Sequence, residues 1–213
     1  MSEVIIVDFN LGNLHSVKKA CEVCNIKARI SSQRSDIEKA EALILPGVGA
    51  FGEAMSNLSK LDLIDPIKDF VESGRPLFGI CVGLQLLFDE SSEFGVAKGL
   101  NLINGKVEKI TFNNQRYYKN FRIPFIGWNK IEIKNKSSSF DHINDGDYFY
   151  FVHSYCARLD VNSDLIASST YGDLQVTAAI ERNNIFATQF HPEKSGEMGL
   201  QIYKNWKSKY NLN

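Results

Sequence analysis

The chain changes its hydrophobic rhythm midway. In the first half, short apolar runs alternate with stretches in which apolar residues recur every three to four positions. Val4–Asp8 reads as a strand, and Leu14–Cys24 as a helix with Leu14, Val17, Cys21 and Cys24 at helical spacing. Ala28–Ile30 and Ala42–Leu45 are short strands, the second running into Pro46-Gly47-Val48-Gly49. Helices are expected at Gly52–Leu58 and Ile64–Glu72, with Asp62 or Asp65 as cap and Gly74 as stop. Leu77–Ile80 is the next strand. Repeated strand–helix alternation implies a parallel sheet covered by helices on both faces. Catalytic groups in such sheets gather beyond the carboxyl ends of the strands.

The second half is strand-rich. Gly105–Thr111, Lys130–Ile133, Tyr148–Val152, Leu165–Ser168, Val176–Glu181 and Ile185–Gln189 read as strands. Turn signals separate them at Asn113-Asn114, Asn144-Asp145-Gly146, Tyr171-Gly172-Asp173 and Asn183-Asn184. A last helix runs from about Gly196 to Lys209. The basic, aromatic segment Arg116–Arg122 reads as a surface loop or hairpin, with a partner or phosphate contact as the lesser reading. No internal repeat or linker interrupts the pattern, so residues 1–213 read as one domain. The expected class is α/β: a central, mostly parallel sheet flanked by helices, with extra antiparallel strands in the second half.

One segment carries chemistry as well as pattern. Gly79-Ile80-Cys81-Val82-Gly83 follows the apolar run Pro76-Leu77-Phe78 and leads into Leu84-Gln85-Leu86-Leu87-Phe88. Strand, sharp turn and helix in that order make a nucleophile elbow, with cysteine where serine is more familiar. The glycines suit a turn too tight for side chains. The helix that follows points its N-terminal dipole at the sulfur, which favours the thiolate.

A nucleophile needs a base. His191-Pro192-Glu193 leaves the end of the strand Ile185–Gln189, as a cysteine–histidine–acid triad requires: the imidazole takes the thiol proton and the carboxylate fixes its tautomer. A His-x-Glu is common by itself, and its position after a strand gives it force. Of the other histidines, His15 lies in the first helix and His142 in a polar loop. His153 is the rival base, read as a structural histidine that bonds backbone near the site. Pro46-Gly47-Val48-Gly49 is an ordinary turn unless it lies beside the elbow. There it could supply one oxyanion donor, with the Val82 amide as the other.

Composition excludes more than it proposes. A 213-residue chain that is 44% hydrophobic can fill a sizeable core. Its net charge of −1 gives no bulk attraction to nucleic acid or to an anionic membrane. No apolar run approaches a membrane span, and the N-terminus lacks the basic region of a signal peptide, so the expected compartment is the cytosol. Cys21-x-x-Cys24 has no second Cys/His pair to complete a zinc site, and small apolar helix residues explain it better. Cys156 reads as a buried thiol at a strand end. No metal or cofactor is expected.

The elbow with Gln85, and the run Thr188-Gln189-Phe190-His191-Pro192-Glu193-Lys194-Ser195, resemble the class I (triad) glutamine amidotransferases. Asp8–Leu14, Pro46–Phe51, Gly127-Trp128-Asn129 and Phe151-Val152-His153-Ser154-Tyr155 narrow the resemblance to the glutaminase subunits of imidazole glycerol phosphate synthases. The resemblance spans the first strand to the last helix and implies a flavodoxin-like fold. It implies that Cys81 attacks the side-chain amide of glutamine and that His191, held by Glu193, moves the protons. Gln85, Val82, the Gly47, Val48 and Gly49 loop, Ser154 and Tyr155 would hold the substrate. Asn13, Trp128, Tyr155 and Lys194 would face a synthase (cyclase) subunit, a (β/α)8 barrel, in a heterodimer serving histidine biosynthesis. The pair Gly47 and Gly49 suggests a switch, a peptide of this loop flipping to complete the oxyanion hole only when that partner is loaded.

Phe125 departs from the family, which usually has histidine there. Its replacement of a polar group near the expected interface keeps a second acceptor open, a sugar of bacterial surface polysaccharide served by paralogous glutaminases. A third reading, a cysteine peptidase or esterase with a similar elbow, is disfavoured by Gln85 and by the His191-Pro192-Glu193 run.

Overall fold

A computed structural model of the chain describes residues 3–212; Met1, Ser2 and Asn213, the ends of the expected single domain, lie outside the described residues. In chain order the elements are β1 (Val4–Val7), α1 (Leu14–Val23), β2 (Ala28–Ser31), α2 (Arg34–Lys39), β3 (Ala42–Gly47), α3 (Phe51–Lys60), α4 (Ile64–Glu72), β4 (Leu77–Cys81) and α5 (Val82–Leu86). There follow β5 (Glu90–Ser91), β6 (Ala97–Lys98), β7 (Gly105–Lys109), β8 (Phe125–Lys130), β9 (Glu132–Ile133), β10 (Tyr148–His153) and β11 (Tyr155–Leu159). The last are β12 (Leu165–Tyr171), β13 (Leu174–Arg182), β14 (Ile185–Thr188) and α6 (Gly196–Tyr210).

Eight strands form the central sheet in the order β2-β1-β3-β4-β14-β13-β12-β9. The first five are parallel, and β13, β12 and β9 extend the sheet antiparallel. A parallel block in the order 2-1-3-4-5 is the flavodoxin-like arrangement. β1, β3, β4 and β14 are buried along their whole length. Strands covered on both faces need continuous apolar runs such as Val4-Ile5-Ile6-Val7, which explains why they show no polar alternation. α1 packs on α6, and α2 on α4. Phe78 of β4 touches Phe186 of β14 and Tyr203 and Trp206 of α6, with ring centroids 5.0, 5.5 and 5.4 Å apart, so the last helix is fixed to the middle of the sheet. No helix among the described residues is long and apolar enough to cross a membrane.

Two smaller sheets sit apart from the main one, β10 with β8 and β11-β7-β5-β6. They correct several sequence expectations. The expected strand Lys130–Ile133 is two strands: β8 ends at Lys130 and pairs with β10, while β9 begins at Glu132 and pairs with β12. The fully buried Ile131 lies between them where the chain changes sheets. β5, β6, β11 and α2 went unread, α2 because six residues with one buried position, Ile37, carry no periodicity. Neither Asp62 nor Asp65 caps α4. Leu63 holds that position without a side-chain cap, Asp62 is left-handed at φ 56°, and Asp65 lies in the first turn. Gln115–Lys119 is a 3-10 helix rather than a hairpin, anchored by Tyr117 and Phe121 against Phe112.

Candidate active site

The parallel strands β3, β4 and β14 bring three loops to one edge of the sheet. Gly47 is level with Cys81 across β3 and β4, and Thr188 is level with Ile80 across β14 and β4. The Gly47–Gly49 loop, the Cys81 turn and the segment Gln189–Glu193 therefore leave the sheet side by side.

Cys81 has φ 55° and ψ −108°, a conformation that L residues avoid. Holding a non-glycine residue there costs about 1–3 kcal/mol and persists only where the surroundings enforce it. Here the enforcement comes from the next turn. A Cβ on Gly83 would sit 1.7 Å from the Leu45 carbonyl oxygen, so α5 lies directly against β3. The backbone reverses at Cys81 to make that contact. α5 is five residues long, so the helix dipole expected to act on the sulfur is that of little more than one turn. The sulfur lies 3.7 Å from the Gln189 amide nitrogen and 3.9 Å from the Val152 carbonyl.

His191 follows β14 after Gln189 and Phe190. Its amide donates to the Tyr150 carbonyl at 2.9 Å, and the Ser195 hydroxyl donates to its carbonyl at 2.6 Å. Its Nδ1 lies 2.7 Å from Glu193 Oε1, with both side chains 1% exposed. A carboxylate only accepts, so Nδ1 donates to it and Nε2 is the atom left to exchange a proton with Cys81. Burial disfavours the imidazolium, but the neighbouring Cys81 sulfur and Glu193 carboxylate outweigh it and lift His191 to about 10. Nε2 is buried and has no other hydrogen-bond partner, which leaves it available to a proton from Cys81.

His153 is held differently. Its Nδ1 lies 2.8 Å from the Tyr155 carbonyl, and burial drives its pKa down to about 4. It is neutral near pH 7 and has no carboxylate partner.

A cavity of about 360 Å³ opens over the sulfur. Of the residues expected from the sequence, Val48, Gly49, Val82, Gln85, Ser154, Tyr155 and Lys194 line it together with Cys81. Gly47 lies on β3 beside the elbow and is not part of the lining. Gln85 is 3% exposed and donates to the Tyr155 carbonyl at 2.9 Å and to Gln189 Oε1 at 3.0 Å. Asn13 caps α1, its side chain accepting the Ser16 amide at 3.4 Å. Trp128 is 54% exposed on the outer face of β8. The cross-strand pairs Trp128–Tyr150, Ile126–Val152 and Lys130–Tyr148 share that face.

Two site residues escaped the sequence reading. Glu93 lines the cavity and accepts the Phe51 amide at the start of α3 at 2.7 Å. Gln189, fully buried, links Gln85 to Cys81. A glutamine inside an otherwise apolar strand end was the available signal for the second. Phe125 corrects another expectation. It is buried, stacked between Phe151 at 5.0 Å and Tyr171 at 3.9 Å, because alternation along β8 turns it inward where Ile126 and Trp128 turn outward. It therefore removes no polar group from an exposed surface. Among the described residues no cluster of three or more His, Cys, Asp or Glu side chains is placed to hold a metal, and the four cysteines are free and buried.

The family model for glutamine amidotransferase class-I matches residues 5–208. The chain is 42% identical to the imidazole glycerol phosphate synthase subunit HisH of Geobacter metallireducens, covering 97% of this chain and 98% of that protein. It is 43% identical to the subunit of the same name from Syntrophotalea carbinolica, over 95% and 98% of the two chains. Among solved structures, a glutamine amidotransferase superposes with a TM-score of 0.73 at 19% identity, over 98% of this chain and 99% of that one. PurLQS from Thermotoga maritima superposes with a TM-score of 0.74 at 16% identity, over 98% of each chain. These two likenesses speak to the fold.

Proposed function

Because the chain belongs to the class-I glutamine amidotransferase family, we propose that it is the glutaminase subunit of an imidazole glycerol phosphate synthase, releasing ammonia from glutamine for histidine biosynthesis. The observation that carries the reading is the buried His191–Glu193 pair beside a cysteine in a strained turn at the floor of a cavity.

Each group has a task. His191 Nε2 takes the proton of the Cys81 thiol, and the sulfur adds to the amide carbon of glutamine. The Val82 amide and an amide of the Gly47–Gly49 loop stabilise the oxyanion. As the tetrahedral intermediate collapses, the C–N bond breaks and His191 returns its proton to the departing ammonia. Water then attacks the thioester, His191 takes a proton from it, and the C–S bond breaks. Glutamate leaves, and the proton on His191 restores the thiol. Glu193 holds one imidazole tautomer throughout and stabilises the imidazolium.

The cavity also suits a free amino acid. Its lining carries one carboxylate, Glu93, and one ammonium, Lys194. Those are the charges that complement a zwitterion: Glu93 for the α-ammonium and Lys194 for the α-carboxylate. Gln85 and Gln189 form an amide ladder toward the sulfur that suits a carboxamide side chain.

The ammonia acceptor is a cyclase subunit, of (β/α)8 form. Its docking face is the outer surface of β8 and β10, where Ile126, Trp128 and Tyr148 are 59%, 54% and 49% exposed. Large apolar side chains grouped on a short ribbon fit a partner better than water. The synthase would work in the cytoplasm. Phe125, buried away from that face, gives no support to a polysaccharide sugar as acceptor.

The test is Cys81→Ala in the assembled synthase. Glutamine-dependent synthesis should fall to background while synthesis from added ammonium salt stays within about twofold of the parent. Glutamine hydrolysis that survives the substitution would refute the reading.

A further inference from the structure

Glu193 uses one carboxylate oxygen on His191, and the second is unaccounted for. Oε2 is buried with no hydrogen-bond partner. A buried carboxylate oxygen left unpaired is costly, and such groups normally find a donor or an ordered water. The surroundings narrow the choice. Glu193 lies in the 3-10 turn Pro192–Lys194, which packs against α6, α1 and β10. α6 comes very close there: a Cβ on Gly199 would sit 1.9 Å from the Pro192 carbonyl oxygen. Tyr203 is one helical turn further along the same face of α6. α1 closes the other side, with the thiol of its C-cap Cys24 donating to the Leu200 carbonyl at 3.5 Å.

Tyr203 is fully buried, and its hydroxyl also has no partner. Burial, the Glu193 carboxylate, and Cys21 and Cys24 together push that hydroxyl well above its ordinary range, so it stays a donor at every working pH. Two complementary polar groups, each buried and each without a partner, therefore lie close enough for the charge of one to act on the other.

We propose that Tyr203 is a positioning residue for the catalytic pair: its hydroxyl, through one bridging water, holds the second oxygen of Glu193. The water donates to Oε2 and accepts from the tyrosine. A water with two such partners is an ordinary structural component of a protein interior. The link fixes the rotation of the carboxylate, and with it the plane in which His191 faces Cys81. The other ionisable groups around Glu193 are His191 with Cys81 beyond it, Lys194 on the same turn, and Cys21 of α1 with Cys24 at its C-cap. Cys21 and Cys24 are both pushed up by burial and remain neutral thiols, which leaves Tyr203 as the strong donor in the compartment.

The inference rests on the glutaminase reading, and the two fail separately. Tyr203→Phe removes one hydroxyl and keeps the ring against Phe78, so the fold is retained. In the assembled synthase the variant should lose about tenfold in kcat for glutamine with KM unchanged, the worth of one hydrogen bond to a charged group. Ammonia-dependent synthesis should stay at the parent level. A kcat that matches the parent would overturn the role of Tyr203, even while Cys81→Ala abolishes glutamine hydrolysis. A rise in KM with kcat unmoved would also overturn it, since that is the mark of a disturbed substrate site rather than of a loosened carboxylate. Should Cys81→Ala leave hydrolysis intact, the functional reading itself is what fails.

Discussion

His153 offers a quantitative test of the site's electrostatics. Its imidazole is buried, its Nδ1 is committed to the Tyr155 carbonyl at 2.8 Å, and its pKa lies at about 4. An unfolded histidine titrates near ~6.5. Between these values the unfolded chain binds a proton that the folded chain refuses. The stability that neutral His153 contributes is therefore present above the unfolded value and is lost as pH falls toward the folded one. The full loss is ~3 kcal/mol, of which ~2 kcal/mol falls between about pH 7.5 and about pH 5. His191 acts in the opposite sense. Its folded pKa is raised to about 10, so its contribution is complete below the unfolded value and declines as pH rises through the folded one. The two slopes offset each other near neutrality, so the parent curve alone is uninformative. The comparison with His153→Asn separates them, because asparagine keeps a donor for the Tyr155 carbonyl and cannot titrate. Urea denaturation of both proteins across that range should show the variant gaining ~2 kcal/mol on the parent as the buffer is acidified. Parallel curves would refute the assignment of His153 as a buried neutral imidazole.

The other expectations concern substrate and partner. Glu93→Gln keeps an acceptor for the Phe51 amide but removes the negative charge from the cavity. KM for glutamine should rise ~10- to 100-fold, the worth of a charge-assisted hydrogen bond, with kcat nearly unchanged; initial rates over a glutamine series would read it, and an unchanged KM would count against Glu93 as the ammonium site. Trp128 is half exposed, so Trp128→Ala should move stability by less than ~0.5 kcal/mol. The same change should weaken binding of the cyclase subunit ~10- to 100-fold, as loss of a central aromatic anchor does. Titration calorimetry would measure it, and undiminished affinity would remove the β8–β10 face from the interface.

What could be read in advance follows from where the information lies along the chain. Cys81 was legible because strand, glycines and helix are consecutive there, so a local signal specifies a local geometry. His191 and Glu193 were legible for the same reason, two residues apart at the end of an apolar run. Parallel pairing then brought the two segments together, and the strand–helix alternation of the first half had already implied parallel pairing. Glu93 was not legible. It comes from the short β5–β6 connection and acts by reaching α3, whose Phe51 is 42 residues away in sequence. Nothing local distinguishes it from the exposed Phe94 that follows. Phe125 failed for a related reason. Its identity was visible, but whether it faced a partner or the core depended on the register of β8 against β10, which pairs it with His153. A one-residue shift in that register would exchange Phe125 for Ile126 and reverse the inference. Chemistry carried by consecutive residues could thus be read from the chain. The charges proposed to hold the substrate, and the face proposed for the partner, depend on pairings between distant segments and required the fold.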